Sequence, residues 1–215
     1  YIYMCFDARS SLSGFLIGGS ASLYLLLFSK NNTNRHIGLF FCSVVLIQLA
    51  EYFMWIDQDC KKNYNNFASR SVIPILCLQL FALIFGSYIF NTTILPKYIL
   101  KYLTIILAIF LISIIYYCFF YNNYNWCTKP NEDKSLQWAN FYKIVNKKMI
   151  SIYQLIFTLT PFLFKDIRKG FFLYILGVNS YMSTRYNNEN TSNSHWCFYS
   201  AFIPTIFLAL ELNGL

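Results

Sequence analysis

The stretch from Tyr98 to Tyr121, YILKYLTIILAIFLISIIYYCFFY, decides the fold class of this chain. It carries one charge, Lys101, near its start, and the rest is apolar or aromatic apart from one threonine and one serine. A helix that crosses the hydrocarbon core of a bilayer needs about 20 such residues, because each residue adds roughly 1.5 Å. The stretch is therefore predicted to be a transmembrane helix.

Other apolar stretches of similar character precede and follow it, and together they predict a bundle of seven transmembrane helices. The predicted spans are 12–29, 36–57, 70–90, 98–121, 149–165, 169–184 and 195–212. The chain is 57% hydrophobic and only 12% charged, whereas soluble domains are about 25% charged. No linker divides it, so residues 1–215 are predicted to form a single all-α transmembrane domain.

The connections between these spans predict the orientation of the chain. On the side of the C-terminus, called the Y side, the turns are short and basic; on the side of the N-terminus, the X side, segments 58–69, 122–148 and 185–194 are longer and polar. Short loops rich in Lys and Arg remain cytoplasmic. The N-terminus is therefore predicted to be exoplasmic or lumenal and the C-terminus cytoplasmic. Placement between spans also accounts for the net charge of +8, so nucleic-acid binding is not indicated.

Four of the seven cysteines fall on the X side: Cys5, Cys60, Cys127 and Cys197. An oxidising compartment would allow up to two disulfides among them. The alternative is that they are small buried hydrophobic residues near helix ends. The preferred pairing joins Cys60 to Cys127 or to Cys197, because these segments flank helices that carry polar residues.

Several classes of catalytic site are excluded by what the sequence lacks. His36 and His195 lie at opposite faces of the predicted bundle and cannot share a metal. The seventh span has no lysine for a retinal Schiff base, and no phosphate-binding glycine loop or nucleophile elbow occurs. We therefore expect no metal, no cofactor and no enzymatic activity. A lipid-modifying enzyme that uses Glu51 as its acid or base would lack a nucleophile.

Polar residues within the spans form the candidate site. Glu51 is the only acid well inside a predicted helix, and Gln48 and Trp55 share its helical face. Residues from other spans are expected at similar depth toward the X side: Gln79, Gln154, Asn179, His195 and Ser200. They predict either a polar pocket open to the X side or an interhelical hydrogen-bond network. Gln79 and Asn179 are the expected partners of Glu51, which is too costly to bury unpaired.

Two motifs resemble a family of uncharacterised multi-pass membrane proteins found in giant DNA viruses and some protists. The first is Gln48-x-x-Glu51-x-x-x-Trp55, followed by Cys60 and Gln79, and the second is Ser194-His195-Trp196-Cys197. The resemblance implies a viral origin and no particular activity. The chain departs from it at Leu80, where the family often has proline, and at His195, where an apolar residue is usual.

These observations favour a non-enzymatic integral membrane protein, a structural or accessory component of a larger membrane assembly or of a virion membrane. Its partners would be the lipid bilayer and other membrane protein subunits. The alternative is a small-solute or proton-linked transporter, or a receptor, with a polar pocket around Glu51.

Overall fold

The computed structural model describes residues 7–131, 136–185 and 192–214, excluding the side chains of 142, 147, 180–185 and 192–195. The chain is helical apart from a minimal hairpin. The helices are α1 (Ala8–Phe28), α2 (Asn32–Ile56), α3 (Tyr64–Phe90), α4 (Lys97–Tyr116), α5 (Phe141–Ile144), α6 (Lys147–Leu159), α7 (Ile167–Arg185), α8 (Ser192–Ser200) and α9 (Ile203–Leu212). The antiparallel strands are β1 (Lys129–Pro130) and β2 (Leu136–Gln137).

Local signals in the sequence explain where several of these helices begin and end. The side chains of Asp7 and Asn31 accept hydrogen bonds from backbone N–H groups in the first turns of α1 and α2, as N-cap residues do. Asn91 ends α3 in the left-handed conformation, with φ of 53°, which asparagine tolerates better than most residues. Pro96 immediately precedes α4.

Four helices in the described residues are long and apolar enough to cross a membrane: Ala8–Phe28, Asn32–Ile56, Tyr64–Phe90 and Lys97–Tyr121, the last including a π-helical turn after α4. They correspond to the first four predicted spans, although α3 begins six residues before the predicted position 70. Their length and composition are consistent with an integral membrane protein.

Of the remaining predicted spans, 169–184 lies within the continuous helix α7, whereas the other two are divided. Span 149–165 is divided into α6 and a 3₁₀ turn, Thr160–Leu163, that contains Pro161. Span 195–212 is divided into α8 and α9 by a turn just before Pro204. Both interruptions lie at prolines, because proline has no N–H and its ring clashes with the preceding turn. Seven uninterrupted spanning helices are therefore not what the described residues form.

Small residues allow α1 to approach its neighbours closely. Gly14, Gly18 and Ser22 are all buried on one face of α1. A Cβ atom added at Gly18 would collide with the backbone carbonyl of Ala201, between α8 and α9. A Cβ atom at Gly38 on α2 would lie 2.7 Å from the carbonyl oxygen of Ser22. These three small residues therefore form a helix-packing surface.

Contacts between connections define the two ends of the bundle. At the Y end, Thr93 forms a β-bridge with Phe164, and Asn34 Nδ2 donates to Glu211 Oε2 at 3.0 Å. At the X end, Arg70 Nη1 donates to the carbonyl of Cys118 at 3.1 Å. Successive helices thus run back and forth between the same two ends.

The segment between α4 and α6 differs most from its prediction. Residues 122–148 were expected to be a polar X-side connection, and the only α-helix within the described residues of 122–146 is the single turn α5. Trp126, Leu136, Trp138 and Phe141 are buried in one hydrophobic cluster with residues of α2 and α3. Residues 122–131 and 136–146, called the cap segment below, therefore pack onto the X end of the bundle.

Candidate functional site

The cap segment is fixed to the bundle by paired hydrogen bonds between Asn65 and Thr128. Asn65, in the first turn of α3, donates from Nδ2 to the carbonyl oxygen of Thr128 at 2.8 Å, and the N–H of Thr128 donates to Asn65 Oδ1, also at 2.8 Å. The hydroxyl groups of Ser69 and Thr128 are 2.6 Å apart. Both Asn65 and Thr128 are fully buried. The side-chain amide of Asn65 thus donates to and accepts from the backbone of Thr128, as the backbone of a neighbouring β-strand would.

A disulfide lies beside this attachment. Cys60 and Cys127 are at bonding distance, with Cα atoms 5.9 Å apart, within the range that disulfides require. This is the first of the two pairings preferred from the sequence. Cys197, the other preferred partner, is a free and buried thiol, and Cys5 lies outside the described residues.

Trp138 is the residue of the cap segment that reaches the candidate site. Ala139 N–H donates to Thr128 Oγ1 at 3.0 Å, which ties the backbone beside Trp138 to the Asn65 attachment. The indole Nε1 of Trp138 donates to Glu51 Oε1 at 3.2 Å, and Gln48 Nε2 donates to Glu51 Oε2 at 3.1 Å. Glu51 is only 2% exposed. The one acid well inside a span is thus bonded by its own helix and by the cap.

The expected partners of Glu51 are engaged elsewhere. Gln79 is fully buried, and its Oε1 accepts a hydrogen bond from the hydroxyl group of Tyr153, which links α3 to α6. Asn179 is exposed, and its amide donates to the carbonyl of Ile175 one turn earlier in α7. The sequence allowed an estimate of how far along its helix each residue lies. It did not reveal how each helix is rotated about its axis, which decides the side chains that meet.

The other candidate residues are only partly brought together. Gln154 and Ser200 line one cavity, and Ser200 is buried. Trp55 is half-buried and packs against the hydrophobic cluster that contains Trp126. The side chain of His195 lies outside the part of the structure that is described. Of the seven candidates whose side chains are described, Gln48 and Glu51 are hydrogen-bonded to each other, and Gln154 and Ser200 line one cavity.

Two buried amide atoms are left without a hydrogen bond in this region. Gln48 Oε1 and Gln79 Nε2 have no partner among the described residues. Buried polar groups are paired in the great majority of cases, and an unpaired one costs free energy. The polar interior is therefore incompletely satisfied by the described part of the chain.

The cavity that Gln154 and Ser200 line is largely apolar. Its volume is about 230 Å³, and its wall contains Trp138, Tyr153 and Trp196 together with aliphatic residues of α3, α4, α6 and α7. None of the residues that line it is charged. Such a wall offers little to a hydrophilic solute, because the solute would lose its hydration without compensation.

His36 occupies a second polar position that the sequence did not reveal. It was expected at the Y face, but it is fully buried, with Nε2 2.8 Å from the carbonyl oxygen of Leu83 and Nδ1 2.7 Å from Thr92 Oγ1. A carbonyl oxygen can only accept, so Nε2 carries a proton, and Nδ1 of the neutral ring accepts from the threonine. His36 also stacks on Phe164 at 5.0 Å. Its role is to join α2, α3 and the Y-side turns.

The signal that sequence reasoning overlooked is the composition of the cap segment. Leu136, Trp138 and Phe141 are large apolar residues within a segment that is polar on average. Such residues are seldom left exposed as a group, and their presence could have indicated a packed segment.

Comparison of the chain with protein-family models, with curated proteins and with solved structures finds no match.

Proposed function

We propose that this chain is a multi-pass membrane protein whose role is structural or accessory within a larger membrane assembly, and that it has no catalytic activity. In this proposal all seven apolar segments cross or enter the bilayer, with the broken helices α6, α8 and α9 packed behind the four long ones. The N-terminus would be exoplasmic or lumenal and the C-terminus cytoplasmic.

The observation that carries the proposal is how Glu51 is used. A carboxyl group that binds a solute or relays protons must meet that solute or water. Glu51 is instead buried and accepts hydrogen bonds from Gln48 and Trp138. Its described contacts hold the cap segment on the bundle, which is a structural task.

The surface of α4 supports a role in an assembly. Leu100 is the only buried residue of this 20-residue helix, and large apolar side chains such as Ile106, Ile109 and Ile112 are at least 60% exposed. In a membrane this surface would contact lipid or the helices of other subunits. A virion membrane is the proposed location, and that part rests on the resemblance of the Gln48–Trp55 and Ser194–Cys197 motifs alone.

The alternative, a transporter or receptor, is favoured by one observation. Gln48 Oε1 and Gln79 Nε2 are unpaired among the described residues, and a polar ligand could satisfy them. Against it stands the cap segment, since Trp138 covers Glu51 from the X end.

Two measurements on the full chain separate these functions. The first compares the size of the particle extracted in mild detergent from the native membrane with that of the chain expressed alone. A structural subunit is expected to be larger when extracted from its own membrane, and equal sizes would argue against an assembly.

The second measurement is proton flux in liposomes that contain a pH-sensitive dye. Wild-type protein and Glu51→Gln should dissipate an imposed pH gradient at the same slow rate as empty liposomes. Dissipation by the wild type that is lost in Glu51→Gln would overturn the structural proposal in favour of proton-linked transport.

The orientation is tested by single-cysteine labelling with a reagent that does not cross membranes. A cysteine placed at 131 should react from the exoplasmic side and one at 167 from the cytoplasmic side. Reaction of both from one side would contradict the alternating arrangement of the segments.

A further inference from the structure

The 230 Å³ cavity lies between helices that expose apolar surface. Its lining includes Phe110 and Ile114 of α4 and Ile150 and Phe157 of α6. The outer faces of α4 and α6 are themselves exposed and apolar, as Ile112 (66%) and Ile152 (58%) illustrate. In a bilayer, the cavity would therefore be bordered by hydrocarbon.

The lining selects the class of occupant. Water is disfavoured, because apolar cavities stay dry and readily bind apolar molecules. The volume lies below the roughly 300–1,000 Å³ of pockets for drug-sized ligands, so a bulky polycyclic molecule does not fit. A flexible hydrocarbon chain fits, since it can insert a segment of matching length while the remainder stays outside.

One polar group in the wall indicates what the chain is attached to. Trp196 lines the cavity near the X end, and its indole Nε1 is buried without an acceptor among the described residues. The equivalent group of Trp138 is already used by Glu51, and the hydroxyl group of Tyr153 by Gln79. Gln154, Thr158 and Ser200 also line the cavity, but of its described polar side chains only Trp196 has a buried atom without a hydrogen-bond partner. The unfilled requirement is therefore one hydrogen-bond acceptor at the X end of a largely apolar space.

We propose that this cavity binds one acyl chain of a membrane glycerolipid and that Trp196 donates a hydrogen bond to its ester carbonyl oxygen. The ester group of a glycerolipid lies at the boundary between hydrocarbon and headgroups, where tryptophan is enriched in membrane proteins. The absence of charge in the wall agrees with a carbonyl ligand rather than a carboxylate.

Gly177 is a suitable position for a substitution that reduces the volume of this cavity. It lines the cavity from α7, and a Cβ atom added to it meets no atom within 4 Å. Glycine inside a helix costs about 1 kcal/mol relative to alanine, so Gly177→Ala should be tolerated. Gly177→Leu should place its larger side chain in part of the cavity.

Gly19 on α1 is the matched control for this substitution. A Cβ atom there would make one ordinary contact, 3.9 Å from Val45 Cγ2, and Gly19 does not line the cavity. Leu80 lines the cavity from α3, so Leu80→Trp adds side-chain volume there and serves as a second variant if Gly177→Leu fails to fold.

The test uses the full chain in mild detergent with phosphatidylcholine brominated on its acyl chains, which quenches tryptophan emission on contact. Wild type and Gly19→Leu should show saturable quenching that excess unbrominated phosphatidylcholine reverses. Gly177→Leu and Leu80→Trp should weaken this binding at least tenfold with unchanged helicity. Equal binding in these variants and the controls would overturn the proposal, because it would place the lipid on the outer surface.

Two further arms identify the group that Trp196 recognises. An ether-linked phosphatidylcholine with the same chains should bind about two- to tenfold more weakly than the ester lipid, as loss of one hydrogen bond predicts. Trp196→Phe should abolish that difference. A brominated free fatty acid that binds more tightly than the ester lipid would refute the glycerolipid as the source. The outcome is independent of the particle size and proton flux that test the structural role.

Discussion

Replacing Asn65 by alanine is the most stringent test of how the cap segment is held. The substitution removes the donor to the carbonyl of Thr128 and the acceptor of its N–H, both bonds of 2.8 Å. Thr128 is fully buried, so water cannot easily replace either bond. A buried polar group that loses its partner costs about 1–3 kcal/mol, and two such groups sum to about 2–6 kcal/mol.

The other hydrogen-bond partners of the Asn65 side chain add nothing to this free-energy cost, because each of them keeps a second hydrogen bond in the variant. The carbonyl of Met54 still accepts from Gln58 Nε2 at 2.7 Å, and Ser69 Oγ still meets the hydroxyl group of Thr128 at 2.6 Å. The expected loss therefore arises from the cap backbone alone.

The assay is equilibrium unfolding in detergent micelles, combined with the rate at which a reductant opens the bond between Cys60 and Cys127. Asn65→Ala should lower the free energy of unfolding by about 2–6 kcal/mol and speed reduction, because the cap separates from the bundle more often. Asn66→Ala is the matched control. Asn66 is half-buried and accepts a single bond from Arg70 Nε at 2.8 Å, so its loss should be at most about 1 kcal/mol.

The reasoning is refuted if the two alanine variants are equally stable, or if Asn65→Ala destabilises the protein without changing the reduction rate. The first result would mean that the paired bonds contribute nothing beyond those to water. The second would mean that Asn65 stabilises α3 and not the cap.

Further predictions concern the core of the site and its edges. Trp138→Phe should lower the free energy of unfolding by about 1–3 kcal/mol, since it keeps the ring but leaves Glu51 Oε1 without its described donor. Glu51→Gln should preserve the free energy of unfolding, whereas Glu51→Leu should lower it, because Trp138 Nε1 and Gln48 Nε2 would lose their acceptor. Equal stability of these two variants in thermal unfolding would contradict the network. Replacing Cys60 and Cys127 together by serine should cost about 2–4 kcal/mol, because their bond closes a loop of 67 residues, and mass spectrometry under non-reducing conditions should find Cys60 linked to no other cysteine. Burial raises the pKa of Asp57, but its backbone N–H hydrogen bonds outweigh burial and hold the pKa below the ordinary value of 3.8. The stabilisation that the Asp57 carboxylate provides should therefore be complete above the ordinary pKa of 3.8 and be lost as the pH falls through the lower pKa of the folded protein. Asp57→Asn should remove this loss, so that the free energy of unfolding falls less steeply at acid pH.

The positions of the long helices were predicted from the sequence more accurately than the side-chain contacts between them. Long apolar runs such as 98–121 identify a spanning helix from composition alone, because hydrocarbon tolerates few alternatives. The interruptions at Pro161 and Pro204 were not predicted, since a proline in sequence does not reveal whether neighbouring helices can accommodate the freed carbonyl groups.

The candidate site was predicted in part for a related reason. Gln48 and Glu51 are on one helix, so their helical spacing was sufficient to predict that they share a face. The donor from Trp138 depends on a contact between residues 87 positions apart, which helical periodicity does not encode. Gln79 and Asn179 were expected to bond to Glu51, but Gln79 bonds to Tyr153 and Asn179 to the carbonyl of Ile175.

The cap segment also sets an order of events during biosynthesis. Glu51 leaves the ribosome 87 residues before Trp138, so α2 and α3 enter the membrane while this carboxyl group still lacks that donor. Cys60 likewise precedes Cys127 by 67 residues. Closure of the cap is therefore a late step of maturation, and until it occurs the newly made chain presents an incompletely paired acid and an open thiol, both features that membrane quality control can detect.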